Sequence, residues 1–292
     1  MPLKITLKTF GMSGEENQLK EILDQSVSAL PGETLLFPEF GAYTAEGSRK
    51  AYQVLTQRAF EKKITIITTL NHPGLDLPGA RLKTNYNALF IFSRTGKIHS
   101  PQAKITPQSF EMNHLDLHSP KINVAPYPRL NKVTLRQNGK IYRVIFFICS
   151  DLYVLQLFER SALESDAILC PANFGNGAEG SAANLIHYTV KTRIFKQGFL
   201  CNTYQKVKEG LVPLTKKKLQ SFYVNPKPVP FKKTELIQKV SASCAIYPDD
   251  QYCNFQSMLK LTQNGTFTVP RSRSRGNGLK VAVGEYKKVV EI

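Results

Sequence analysis

The chain has 292 residues, of which 42% are hydrophobic and 21% charged, a balance that excludes wholesale disorder and allows a substantial core. Its 39 Lys+Arg against 22 Asp+Glu leave a formal net charge of +17, which draws anions in general and says nothing about fold. No stretch approaches the ~18 consecutive apolar residues of a membrane span.

The amino terminus lacks the apolar core and cleavage pattern of a signal peptide, so the expected location is the cytoplasm. The five cysteines, at 149, 170, 201, 244 and 253, are odd in number, widely spaced and form no CxxC pair. A disulfide framework or a zinc site is therefore not expected. The histidines, at 72, 99, 114, 118 and 187, include a single HxxxH pair, His114 and His118, and no HExxH, and no metal is assigned.

In chain order, "KITLKTF" reads as a first strand. Ser13 and Glu16 have the form of a capping box for a helix carrying Leu19, Ile22, Leu23, Val27 and Leu30, stopped by Pro31-Gly32. "TLLFPEFG" is a short buried strand ending at Pro38-Glu39, a second helix is expected from about Ser48 to Lys62, and "ITIITTL" is another strand. "YNALFIFSRTGKIHS" has the form of a hairpin turning near Gly96. The apolar run from Val144 ends on Cys149 and a leucine-rich helix is expected from Leu152. "AILCPANF", a helix from about Ala182 to Lys196 and "GFLCNTYQ" follow, with late strands in "LQSFYVNPKP" and around Asn264-Gly265.

Strands alternate with helices but are also joined by hairpins, so the expectation is an α/β protein with mixed sheets. No linker or repeat divides the chain, which is read as one domain over residues 1–292 with a basic arm from about residue 270, "VPRSRSRGNG". "KKK" at Lys216 to Lys218 and "PKPVPFKK" are taken as solvated loops.

Three residues share a context at the end of an apolar strand: Glu39 after "LLFP", Lys104 in "SPQAKITP", and Cys149 after "VIFFI". Singly these read as a turn carboxylate, a solvated lysine and a core thiol. Together they supply an acid/base, a fixed cation and a nucleophile, a set suited to acyl transfer from an amide. Cys170 and Cys201 lie in apolar strands and read as packing.

"LLFPEFGAY", "AKITP", "FFICSDL" and "CPANFGNG" resemble, in order, the signature blocks of the nitrilase, or carbon–nitrogen hydrolase, superfamily. The resemblance spans roughly Leu35 to Pro228. It implies a four-layer αββα sandwich, a dimer whose sheets extend across the interface, and a Glu39–Lys104–Cys149 triad. Glu111 is close to where the family carries a second glutamate, and Ser150, Asn173 and Tyr43 are candidates for the surrounding pocket. The implied substrate is a small amide or carbamoyl-amine, with no metal or organic cofactor.

The chain departs from the pattern around the triad. Ser150 replaces an aromatic, "VLQ" replaces "FPE", Phe174 stands for tryptophan, the arginine of the later "NR.G" block is missing, and no tyrosine sits two before Lys104. Rival expectations are amide transfer, an inactive nitrilase-like scaffold, and a basic nucleic-acid or polyanion binder. Against the last, the basic clusters lack interleaved aromatics and no nucleic-acid-binding motif is present.

Overall fold

The computed structural model describes residues 2–11, 14–72, 86–106, 129–158, 160–174, 178–203, 244–246 and 282–292. Its first half builds one sheet, β1 (Thr6–Leu7), β2 (Thr34–Leu36), β3 (Thr65–His72), β4 (Tyr86–Phe92) and β5 (Ile98–Ala103), in that spatial order. β1, β2 and β3 run parallel, while β4 is antiparallel to both β3 and β5. The helices α1 (Glu15–Val27) and α2 (Ala45–Lys62) cover its outer face.

A second sheet takes the order β10 (Cys244–Ile246), β9 (Phe195–Asn202), β8 (Ser165–Ala172), β7 (Lys140–Phe146), β6 (Arg129–Gln137) and β11 (Ala282–Glu291). β7, β8 and β9 are mutually parallel. Its outer face carries a 3-10 segment, Cys149–Leu157, and a helix, Ala178–Lys191, with the short α3 (Arg160–Leu163) between them in the chain; the longer helix is α4.

The burial pattern explains the layering. β3 and β4 are buried on both faces because each is sandwiched. On β4, Ala88, Phe90 and Phe92 face the helices, while Leu89 and Ile91 join Leu36, Ile67, Val144, Phe146, Leu169 and Phe199 between the sheets. Each fully buried Phe or Leu contributes roughly 1.5–3 kcal/mol of apolar transfer. The result is an α–β–β–α stack, as expected.

Several expected elements differ in detail. α1 is N-capped by Gly14 without a side-chain hydrogen bond; Ser13 lies outside the described residues. Val27 and Leu30 are 54% and 67% exposed, so the apolar stripe of α1 stops at Leu23. α2 begins at Ala45, where Thr44 accepts from Gly47 N–H. α4 begins at Ala178 and ends at Lys191, four to five residues ahead of expectation.

The leucine-rich stretch after Cys149 is 3-10 rather than α, starting at the cysteine itself. β6 was not anticipated: Asn138 and Gly139, both at positive φ, turn it into β7, an Asn-Gly hairpin of the type first looked for at Asn264-Gly265, which lies outside the described residues. The end of the supposed basic arm is β11, which pairs parallel to β6 at the sheet edge.

Candidate active site

Topology gathers the polar residues at one end of each sheet. In the first sheet Glu39 follows β2 and Lys104 follows β5, strands that run the same way, so both residues stand at carboxyl ends. Cys149 stands three residues beyond β7, at the carboxyl end of the parallel trio in the second sheet.

Glu39 is fully buried, yet its carboxylate is served. Oε1 accepts from Lys104 Nζ at 2.7 Å and from Asn87 Nδ2 at 2.6 Å. Lys104 is itself 2% exposed, and its ammonium lies 5.7 Å from the Phe40 ring centroid. A buried ion pair of this kind persists because each charge answers the other and the hydrogen bonds are close. Neither charge faces solvent, so the bland readings of Glu39 as a turn cap and Lys104 as a solvated cation do not describe this chain.

The loop that aims Glu39 is rigidly held. Phe40 sits at φ 64, a left-handed conformation that a bulky residue adopts only under restraint. Its N–H donates to Thr69 Oγ1 at 2.9 Å and its carbonyl accepts from the buried Gln18 Nε2 at 3.0 Å. Gly41 N–H donates to Thr69 O, and a Cβ at Gly41 would stand 2.7 Å from Thr68 Oγ1. Glu39 N–H donates across the sheets to Ala172 O at 3.3 Å, tying the end of β2 to the end of β8.

Cys149 has φ 49 and is 7% exposed. The turn it opens is clamped to the Lys104 loop by the next two residues. Asp151, fully buried, accepts from Ile105 N–H at 2.9 Å, Thr106 N–H at 2.8 Å and Thr106 Oγ1 at 2.8 Å. Ser150 Oγ donates to Thr106 O at 2.8 Å. Ser150 thus adds a polar rivet between the cysteine turn and the lysine loop.

Burial lifts the Asp151 carboxyl to about 7, while the Lys104 charge and the donors of Thr106 and Ile105 pull it down. Burial likewise pushes the Cys170 thiol well up, helped by the charges of Glu39 and Asp151, while the Cys149 backbone N–H opposes the shift. One sulfur on β8 therefore feels groups from the Glu39 loop, the Asp151 clamp and the Cys149 turn. Cys170 and Cys201 are packing residues as expected; Cys201 Sγ donates to the Lys8 and Leu36 carbonyls.

The remaining candidates fare differently. Asn173 Oδ1 accepts from Thr203 Oγ1 at 2.7 Å, an interaction that fastens the turn after β8. Tyr43 is half-buried, its N–H donating to Glu15 Oε1 at 2.5 Å and its carbonyl accepting from Asn71 Nδ2 at 2.8 Å. Glu111 lies outside the described residues. Asn87 and Asp151 escaped the sequence reading. Asn87 was signalled by a polar residue inside an apolar strand, and Asp151 by an acid directly after the candidate nucleophile.

No protein-family model and no curated protein sequence matches the chain. Solved structures do. One is a CN-hydrolase superfamily protein of Xanthomonas campestris with an arsenic adduct in its active site, at TM-score 0.51 and 13% identity, covering 70% of this chain and 77% of that one. Another is the Nesterenkonia sp. AN1 amidase bearing the product of Michael addition of acrylamide at its active-site cysteine, at TM-score 0.50 and 14% identity, covering 69% and 78%. The same amidase after removal of its His-tag gives TM-score 0.50 at 15% identity, covering 70% and 78%. The layered α–β–β–α architecture together with these likenesses identifies the fold as that of the nitrilase, or carbon–nitrogen hydrolase, superfamily.

Proposed function

We propose that this chain is a thiol hydrolase of non-peptide carbon–nitrogen bonds in small amides or carbamoyl-amines, with Cys149 as nucleophile, Glu39 as general base and acid, and Lys104 as electrostatic stabiliser. The observation that carries the reading is the buried Lys104–Glu39 pair, 2.7 Å apart, at the same ends of the strands as the turn that Cys149 opens. A paired acid and cation held away from water is costly to build, and perturbed, buried charge in such a place is the usual mark of a site.

A free thiol is mostly protonated at neutral pH, so attack needs a base. Glu39 takes the Cys149 proton as the sulfur bonds to the amide carbon and the carbonyl electrons move to oxygen. Lys104 Nζ and the Ser150 N–H face the oxyanion that forms, each such donor being worth roughly 3–4 kcal/mol in comparable sites. Collapse of the tetrahedral adduct breaks the carbon–nitrogen bond while Glu39 returns the proton to the leaving nitrogen. A thioester remains. Water then attacks it with Glu39 accepting its proton, and expulsion of the sulfur releases the acid and restores the thiol. Glu111 would raise the proton affinity of Glu39 by like-charge repulsion where it approaches it.

The proposed partners are a small amide substrate and a second copy of the chain in a homodimer. The test is a panel of aliphatic amides, acrylamide among them, nitriles and carbamoyl-amines, read by release of ammonia or amine. Cys149→Ala and Glu39→Gln should each abolish turnover while the protein still melts cooperatively. A folded wild type that turns over nothing on the panel, and whose Cys149 is no more reactive than Cys170, would leave the inactive-scaffold reading in possession.

A further inference from the structure

Asn87 is the second residue of β4, fully buried in a strand whose other members are Tyr86, Ala88, Leu89, Phe90, Ile91 and Phe92. A polar side chain there costs stability unless its hydrogen bonds are made. Its side chain makes one that matters, to the acid of the ion pair, and its backbone makes a second, to the main chain of the lysine. Its Nδ2 donates to Glu39 Oε1 at 2.6 Å, and its backbone carbonyl accepts from Lys104 N–H at 2.8 Å. The amide orientation is fixed by chemistry, since the carboxylate only accepts and the nitrogen must face it.

We infer that Asn87 is the positioning residue that fixes how readily Glu39 gains and loses its proton, an inference that rests on the reading of Glu39 as the base for Cys149. Lys104 and Asn87 converge on the same oxygen, Oε1. A donor on the ionised form favours that form. The two donors are not equivalent. Losing Lys104 would remove both a donor and the cation that faces the oxyanion. Losing the Asn87 amide would alter only the proton affinity and aim of Glu39. Asn87 therefore separates the tuning of the base from the stabilisation of the oxyanion. Among the described residues Lys104 beyond β5 and Cys170 on β8 feel Glu39 directly, Asp151 in the 3-10 segment acts on Lys104 and Cys170, and Cys149 is the thiol that the proposed base serves.

The experiment is the pH dependence of iodoacetamide labelling at Cys149 in the intact protein, followed by peptide mass spectrometry, with no substrate needed. The wild-type rate should rise through the midpoint set by Glu39. In Asn87→Leu, which keeps the volume and lacks the donor, the midpoint should move up by about one pH unit, a tenfold slower labelling below it. Asn87→Asp is isosteric and replaces the donor with an acceptor, so its shift should be larger in the same direction. It also guards against loss of folding in the leucine variant. Glu39→Gln distinguishes the two claims. If it leaves the wild-type profile unchanged, the base reading fails and takes this inference with it. If it flattens the profile while Asn87→Leu and Asn87→Asp keep the wild-type midpoint, Asn87 is a packing residue and this inference alone is overturned.

Discussion

Among the described residues the ion pairs are of two kinds, and the contrast between them is one of burial. Lys104–Glu39 is 2% and 0% exposed. Arg136–Glu291, with 43% and 35% exposure, Lys196–Asp166 and Arg143–Glu285 all reach solvent on strands of the second sheet. Both kinds have close contacts, so proximity alone does not rank them. Burial does. In water each charge is already solvated and the pair gains little; in the interior a single unanswered charge is several kcal/mol out of place.

The sharpest way to break the contrast is to remove one partner of the inner pair. Lys104→Met should cost about 3–5 kcal/mol, because Glu39 is left as a buried carboxylate with Asn87 as its remaining Oε1 donor. Chemical denaturation of the variant at pH 7 checks it. Lowering the pH should recover part of the loss, since protonating Glu39 removes the stranded charge. A Lys104→Met protein as stable as wild type at pH 7 would make the inner pair energetically like the outer ones.

The next effect down is the Asp151 clamp. Asp151→Ala strips the acceptor from two backbone N–H groups and one hydroxyl, all buried, which should cost about 2–4 kcal/mol and loosen the Lys104 loop against the cysteine turn. The pH dependence has a definite sign. The folded carboxyl is lifted from 3.8 to about 7, so between those values the native state holds a proton that the unfolded chain has lost. Its favourable contribution is full below the unfolded value and is gone once the pH passes about 7. The stability gap between wild type and Asp151→Ala should accordingly narrow from pH 4 to pH 7. A gap that widens over that range would mean the carboxyl is held ionised by its donors.

How much of this was legible beforehand depends on where the information lies. Glu39 and Cys149 stood out because each follows an apolar strand, whose end is visible as an abrupt change of composition, whereas Lys104 follows the largely polar β5, IHSPQA, and drew notice only in company with the other two. The hairpin at Gly96 and the buried strand β3 were visible for the same reason. The 3-10 form of Cys149–Leu157 was not, because leucine spacing there fits an α-helix equally well. β11 was masked by its charge: Glu285, Lys287 and Lys288 make an edge strand look like a solvated tail, which is how edges are commonly protected. Asn87 and Asp151 were passed over because their importance comes from tertiary partners, not from local pattern.

A smaller effect should come from the backbone under Glu39. Gly41→Ala places a Cβ 2.7 Å from Thr68 Oγ1, and that hydroxyl is engaged with Pro38 O, so it cannot swing away freely. The expected cost is about 1–3 kcal/mol as overpacking, together with a slower Cys149 labelling rate as Glu39 is displaced. Thermal melting alongside labelling separates the two. Unchanged labelling in a destabilised Gly41→Ala protein would show that the left-handed turn at Phe40 serves folding alone.

The smallest effect belongs to the outer pairs, and it tests the other side of the contrast. Arg143 and Glu285 stand on β7 and β11 and are 52% and 53% exposed. Arg143→Ala should change stability by less than about 0.5 kcal/mol, and the double variant with Glu285→Ala should show a coupling of about the same small size. Added salt should reduce even that, because water and ions already screen charges at this distance. The same salt should leave the Lys104→Met penalty nearly intact, since ions do not reach a pair 2% and 0% exposed. A coupling above about 2 kcal/mol at the outer pair, insensitive to salt, would mean that this pair is covered in solution, with β11 docked beneath another surface. In that case burial would again be the cause, and the ranking of the two pairs by exposure would have to be redrawn for the assembled protein.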